Sequence, residues 1–407
     1  MGCAMFEIEV TKPLPRLSLN DGQTGFAIVM RRKGRPVGFW LDSPAGKRIL
    51  EPAEIGERVI AEAGQTLLAE AIREEMAPPF PTTVPSVTVA ICTKDRPNDL
   101  AILLKSLQTS IPAAARRNVA MEIMVVDNAP SDDRTRQTVL SFPGTRYAQE
   151  PKTGLNFARN RAVLEARGDW VAFMDDDVSA DAGWLDGFLD AAVAYADAGC
   201  ITGLVLPLEL ETEAQILFEK RGGFRVMGFQ RAVHRPFCEG KRFYPCFPGL
   251  FGTGANMAVR RDVVRALGGF DEALDTGAPL PGGGDLDMFY RTIRAGYALV
   301  YEPSALVFHR HRRKMKELRR QYWSWGLGFM SFAAKSYRTD PPARRHLRRA
   351  INGEFKRPLF QLGKSLLRRD GVSSALVLAQ LWGCMAGLMG GYDRSLRRIE
   401  EIRRRQA

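Results

Sequence analysis

The chain has 407 residues, 45% hydrophobic and 26% charged, with a net charge of +12, a balance that excludes a disordered or fibrous polypeptide and leaves room for two or three domains. From Arg310 onward 24 Lys/Arg face 7 Asp/Glu, whereas the preceding residues carry 34 against 39, so the basic character belongs to the tail and suits an anionic membrane face or nucleic acid. Six cysteines without a CxxC spacing exclude a disulfide scaffold in a chain of this size and fit a reducing cytosol, and residues 1–10, with Glu7 and Glu9, lack the basic-then-apolar pattern of a secretory leader.

Residues 1–80 read as a small α+β module. Positions 25–30 and 36–41 form two strands about a turn tipped by Lys33 and Gly34, and 53–76 repeat Ile55, Val59, Ile60, Leu67, Leu68 and Ile72 at helical spacing. The module carries no evident chemistry. Prolines 78, 79, 81 and 85 then mark a linker and a domain boundary. Beyond it, 86–93 read as a strand, 99–109 as a helix with Leu100, Leu103, Leu104 and Leu107 on one face, and 122–128 as a second strand ending on Asp127 and Asn128. Strand, helix and strand make a right-handed crossover unit with a parallel sheet. No GxGxxG follows the first strand and no P-loop motif occurs anywhere, which counts against a dinucleotide fold and a P-loop enzyme. Asp127 reads either as an Asx cap for the turn at 129–133 or as an acceptor for a bound nucleoside. Lys152, Gly154, Arg159 and Arg161 then line a basic helix start suited to phosphate oxygens.

The apolar run 170–174 ends abruptly in Asp175, Asp176 and Asp177. Such a run reads as a buried parallel strand, and open α/β sheets bind ligands in the crevice beyond their strand ends. Three adjacent carboxylates repel one another unless a cation or donors compensate, and hard carboxylate oxygens suit Mg²⁺ or Mn²⁺. The competing reading is an acidic turn capping a helix that begins near Trp184. Residues 204–250 show no usable periodicity. Three glycine-bearing motifs follow at 252–261, 268–272 and 282–291, the last containing Gly284, Asp285, Leu286 and Asp287; Asp285 reads there as a base or as the cap of a helix over 286–295. A strand over 298–308 leads into His309 and His311, which point to the same side of an extended chain. His234, Cys238 and Cys246 have the wrong spacing for zinc and lack a fourth ligand.

The motifs at 89–97, 125–128, 154–160 and 173–177, followed by the three glycine-bearing ones, occur in an order that resembles family 2 glycosyltransferases of GT-A fold over residues 86–312. The resemblance implies an α/β catalytic domain built on a GT-A-type nucleotide-binding sheet, mixed but mainly parallel and flanked by helices, preceded by the 1–80 module and followed by a basic helical region at 313–407. It also implies a nucleoside-diphosphate sugar donor, a divalent cation, and inverting transfer to a hydroxyl of a glycan, lipid-linked or peptide-linked acceptor. Carried over residue by residue, Thr93, Arg96, Asp127, Arg159, Asp175 and Asp176 would line the nucleotide, and Asp177, Asp175 and His309 would hold Mg²⁺ or Mn²⁺. Asp285 would be the general base, with Asp287 as fallback. Many relatives carry Glu-Asp where this chain has Gly284-Asp285; only a requirement for the first acid would disable it.

The rival is a catalytically inactive transferase scaffold with a membrane- or nucleic-acid-binding tail. The intact Asp177 and Asp285 argue against it, and the basic run at 344–349 lacks the interleaved aromatics that nucleic acid favours. In the tail, 321–330 is an aromatic stretch that reads as core, acceptor platform or bilayer contact. Residues 371–392 carry no charged residue and are flanked by Arg368 and Arg369 on one side and Arg394, Arg397 and Arg398 on the other. Their length permits a span, but their glycines favour a helix packed on the enzyme or lying in the interface. The expected location is cytoplasmic, peripheral on the inner face of the membrane.

Overall fold

The computed structural model describes residues 2–44, 46–76, 84–236, 244–275, 277, 279–366 and 373–405. In the N-terminal module, β1 (Gly2–Glu9) runs parallel to β3 (Gln23–Arg32), which pairs antiparallel with β4 (Arg35–Asp42). A short pair, β2 (Leu17–Ser18) and β5 (Ile49–Leu50), precedes α1 (Pro52–Met76). The sequence reading has two strands here, and β1 is the addition: its pattern does not alternate cleanly, with Glu7 exposed beside partly buried Phe6. Six consecutive residues of β3, from Gly25 to Met30, are buried, because both faces of this sheet are covered. On one face Ile55, Val59 and Ala63 of α1 pack on Phe26, Ile28 and Met30. On the other, Ala27, Val29 and Phe39 pack on Leu204, Leu206, Tyr301 and Leu306 of the following domain, and Arg31 adds an ion pair to Asp181 at 2.5 Å.

The following domain begins with the expected crossover: β6 (Val87–Thr93), α2 (Pro97–Leu107), α3 (Ser110–Arg116) and β7 (Met121–Asn128). It continues through α4 (Arg134–Leu140), β8 (Thr145–Glu150), α5 (Leu155–Glu165), β9 (Trp170–Asp175), β10 (Val178–Ala180), α6 (Trp184–Ala194) and β11 (Ala198–Pro207). After α7 (Glu213–Lys220) come β12 (Ala232–His234), β13 (Asn256–Arg260), α8 (Arg261–Ala266), α9 (Gly284–Arg294) and β14 (Ala298–His309). The nine-stranded sheet is ordered β10-β14-β11-β13-β9-β6-β7-β8, with β12 also on β14. β10, β12 and β13 run antiparallel to their neighbours and the rest pair in parallel, so the sheet is mixed and mainly parallel, as the resemblance implies. Apolar layers cover both faces: Leu100, Leu104, Trp184 and Phe188 on one, Ala158, Ala162, Phe270 and Phe289 on the other. This double cover is why the central strands read as continuous apolar runs.

Four helices complete the chain: α10 (Met315–Thr339), α11 (Arg344–Leu366), α12 (Ser374–Leu388) and α13 (Gly391–Arg404). Most of the aromatic stretch in α10 is core, with Tyr322, Leu327, Phe329 and Met330 buried.

Candidate active site

Register alone brings the acidic strand ends together. Thr93 is paired with Asp127, and Cys92 with Asp175, so the ends of β7, β6 and β9 lie side by side at one edge of the sheet. After Asp175 the chain turns and β10 pairs antiparallel with the end of β14, setting Val178 against His309. The Arg310 amide donates to the Asp177 carbonyl at 2.9 Å. A residue more than 130 positions away thereby becomes the neighbour of the acidic turn.

The three aspartates do different things. Asp176 is buried and points back into the protein, accepting from Thr93 Oγ1 at 2.7 Å and from Arg96 at 2.9 Å; burial pushes its carboxyl up to about 6, against the pull of Arg96. Asp177 faces His309 Nε2 at 3.3 Å through Oδ1 and Arg312 at 3.3 Å through Oδ2. Burial raises its pKa, but His309, Arg312 and Arg96 outweigh it and hold the carboxyl well below the usual range. Asp175 moves the other way: burial and the neighbouring Asp177 raise it, with Arg159 and His309 opposing. Adjacent carboxylates driven apart in this manner mark functional sites.

His309 is itself positioned. Its Nδ1 lies 2.9 Å from Nδ1 of His311, whose Nε2 lies 2.8 Å from the buried Glu219 carboxylate. Phe218 and Phe224 pack edge-on against the His311 ring, and burial lowers the His311 pKa against the pull of Glu219. If His311 donates to Glu219 through Nε2, its neutral ring accepts from His309 at Nδ1. His309 Nε2 is then the ring nitrogen turned to Asp177, a donor to its carboxylate when protonated and a metal ligand when it is not. Among the described residues no three His, Cys, Asp or Glu side chains form a ready cluster for a metal ion; Asp177 and His309 offer two donors. That fits a Mg²⁺ or Mn²⁺ whose remaining positions are filled by substrate phosphate and water.

Asp285 stands near the same strand ends, close enough to Asp175 to raise it further. It lies in the first turn of α9, accepts from the Gly254 amide at 2.9 Å through Oδ2 and from the Leu286 amide at 2.8 Å through Oδ1. Gly254 has to be glycine: a Cβ there would lie 2.8 Å from the Arg159 guanidinium and 3.1 Å from Asp285 Cβ. Arg159 is buried and bonded to Asn156 and Asp275, each at 3.1 Å, so it is not an open clamp. Asp275, which sequence reasoning missed, accepts from the Gly284 amide at 3.0 Å and so caps α9; burial and Asp285 push its carboxyl up to about 6 against Arg159. The cap of this helix is therefore Asp275, not Asp285. Asp287 does not face the cleft. It is buried between Arg291 at 2.7 Å and Lys335 at 2.6 Å, and a carboxylate held by two cations is no proton acceptor.

Asp127 accepts from Tyr147 at 2.9 Å through one oxygen, while the other is buried without a hydrogen-bond partner. Burial raises its pKa. Asp127 does not cap the turn at 129–133: its one hydrogen bond among the described residues comes from Tyr147. Glu219 and Arg312 were also missed: Glu219 lies in a stretch without periodicity, and Arg312 was one cation among many. Cys238 lies outside the described residues, and Cys246 is a buried free thiol.

Residues 88–268 match the family model described as glycosyl transferase family 2. Over those residues, somewhat less than half of the chain, the sequence is similar to family 2 glycosyltransferases. Over 326 residues it is 29% identical to the pre-mycofactocin glycosyltransferase of Mycobacterium tuberculosis, covering 72% of this chain and 60% of that protein. Over 229 residues it is 28% identical to the N-acetylglucosaminyl-diphospho-decaprenol L-rhamnosyltransferase of the same organism, covering 51% of this chain and 71% of that protein. A mannosyltransferase from Pyrobaculum calidifontis, solved with GDP-Man and Mn²⁺, is 17% identical with a TM-score of 0.48, over 82% of this chain and 95% of that one. The family match ends before Asp285 and His309, so their place in the domain rests on the geometry above.

Proposed function

We propose that the chain transfers a sugar from a nucleoside-diphosphate donor to an acceptor hydroxyl, with inversion and with help from a divalent cation. The observation that carries this reading is the pairing of Asp177 with His309 at 3.3 Å, with Asp285 close enough to bear on Asp175. Asp127 and Thr93 at the strand ends line the nucleoside side, and Arg96 and Arg312, both half-exposed beside Asp177, place positive charge where a diphosphate would lie. A divalent cation held by Asp177 and His309 would act as a Lewis acid on the leaving diphosphate. Asp285 takes the proton of the acceptor hydroxyl as its oxygen bonds to the anomeric carbon and the bond from that carbon to the phosphate oxygen breaks. The amides of Gly254 and Leu286 keep its carboxylate aimed.

The test is thermal stabilisation of the purified protein by UDP, GDP, dTDP and CDP, each with and without Mn²⁺. A nucleotide at 100 times its dissociation constant adds about 2.7 kcal/mol. One nucleotide is expected to stabilise in a Mn²⁺-dependent manner, and Asp177→Ala to abolish the dependence. No response to any of the four would transfer the weight to an inactive scaffold.

A further inference from the structure

The helix α12 contains no charged residue and is apolar all round, the composition of a helix enclosed on every side. Only one side of it is enclosed. Gly383 and Gly387 press on α10 so closely that a Cβ would lie 2.0 Å from the Trp323 carbonyl and 2.6 Å from Met330 Cβ, and Gln380 donates to the buried Glu354 of α11 at 2.6 Å. The other side presents Leu378, Trp382, Met385 and Met389 at helical spacing, with Trp382 61% and Met389 59% exposed.

Cations stand at the end of this stripe. Arg394 of α13 donates to the carbonyls of Ala386 and Met389, which fixes a guanidinium at the carboxyl end of α12, and Arg397 is exposed one turn further. Lys356 and Arg357 of α11 are exposed next in sequence to the exposed Leu359 and Phe360. From Arg310 onward the chain carries 24 Lys/Arg against 7 Asp/Glu, so a second copy would set like charge against like, whereas an anionic surface complements it.

We propose that this face of α12, with the arginines of α13, docks on the surface of an anionic lipid bilayer. An exposed Trp amid Leu and Met, beside arginines, matches the chemistry of the boundary between headgroups and acyl chains. The contact is lateral. Fifteen residues make a helix of about 22 Å, short of the ~30 Å hydrocarbon core; α12 is fastened to α10 along its length, and α13 leaves it at a 65° bend. Among the described residues no single helix is long and apolar enough to cross a membrane. The proposal is independent of the sugar-transfer reading, because it uses none of the side chains of the candidate active site.

The experiment is flotation of the full chain with vesicles of phosphatidylcholine alone and of phosphatidylcholine with phosphatidylglycerol, without nucleotide. Binding to the anionic vesicles is expected to exceed neutral binding at least about tenfold and to weaken with salt. Trp382→Glu with Met385→Glu is expected to abolish it while melting temperature stays unchanged. Arg394→Gln with Arg397→Gln should remove the salt-sensitive part, and bilayer-embedded bromolipid should quench native fluorescence more than that of Trp382→Phe. Absence of flotation, equal binding to both vesicles, or full binding by the double Glu variant would overturn the proposal. So would a native dimer that this variant turns into a monomer, since a second copy would then be the cover.

Discussion

Asp285 is held by two amides and lies in the first turn of a helix, where the aligned peptide dipoles favour negative charge. Among the described residues Asp285 has no ion-pair partner, whereas Asp275 faces Arg159 and Asp287 is enclosed by Arg291 and Lys335. Asp285→Asn keeps size and one hydrogen-bond acceptor but cannot take a proton. It is expected to lower kcat by ~10²–10⁴-fold while leaving Mn²⁺-dependent stabilisation by nucleotide intact. Asp287→Asn should do the reverse. It leaves Lys335 with Asp271 alone and Arg291 with only the carbonyls of Leu267 and Gly269, and costs stability, up to about 3–5 kcal/mol for a broken buried pair, read by denaturant unfolding, with nucleotide selectivity unchanged.

At the scale of elements, the loop before α9 decides where Asp285 stands. Gly283 has φ of +101°, and a Cβ on it would lie 2.8 Å from the Gly328 carbonyl of α10. Gly283→Ala therefore meets a strained backbone and a fixed obstacle at once; a stability loss of about 1–3 kcal/mol should accompany a kcat loss larger than any change in nucleotide affinity. The pairing of α11 and α12 gives a pH signature. Burial raises the Glu354 pKa, with its hydrogen bond from Gln380 opposing. As pH climbs past the ordinary carboxyl range the unfolded chain releases this proton first, so the folded state binds more protons and stability falls. Glu354→Gln is expected to melt above the native protein at pH 8 and level with it at pH 4.

These elements were unequally legible in the sequence. β6, β7 and β9 are buried on both faces and announced themselves as apolar runs ending in Asp or Thr, and the acidic turn followed from them. The three-residue β10, the loop that carries Asp275 and the helix α7 that carries Glu219 did not, since their form is set by pairing and packing across the sheet and not by local periodicity. The His309 and His311 pair was visible, but its link to Glu219 depends on residues 92 positions apart.

The whole molecule ties the N-terminal module, which looked chemically silent, to the cleft. Phe39 and Trp40 are neighbours on β4 and point to opposite faces, Trp40 toward α1 and Phe39 toward Leu204, Leu206 and Tyr301 of the large sheet. The Arg225 guanidinium lies over the Phe39 ring at 4.9 Å and donates to Glu219 at 2.9 Å, and Glu219 holds His311 against His309. A line of contacts thus runs from the module to the residue facing Asp177. If it matters, the two aromatic side chains are not equivalent despite equal burial. Phe39→Ala and Trp40→Ala should each cost about 3–5 kcal/mol as large buried side chains removed, measured by denaturant unfolding. Phe39→Ala alone should also weaken Mn²⁺ binding in the presence of nucleotide, because Arg225 is released and Glu219 with it; titration calorimetry on both variants, under conditions where each is folded, separates the outcomes. Equal Mn²⁺ affinity in the two would reduce the module to a structural cover for Leu204, Leu206 and Tyr301, whereas a loss confined to Phe39→Ala would make it part of what positions His309.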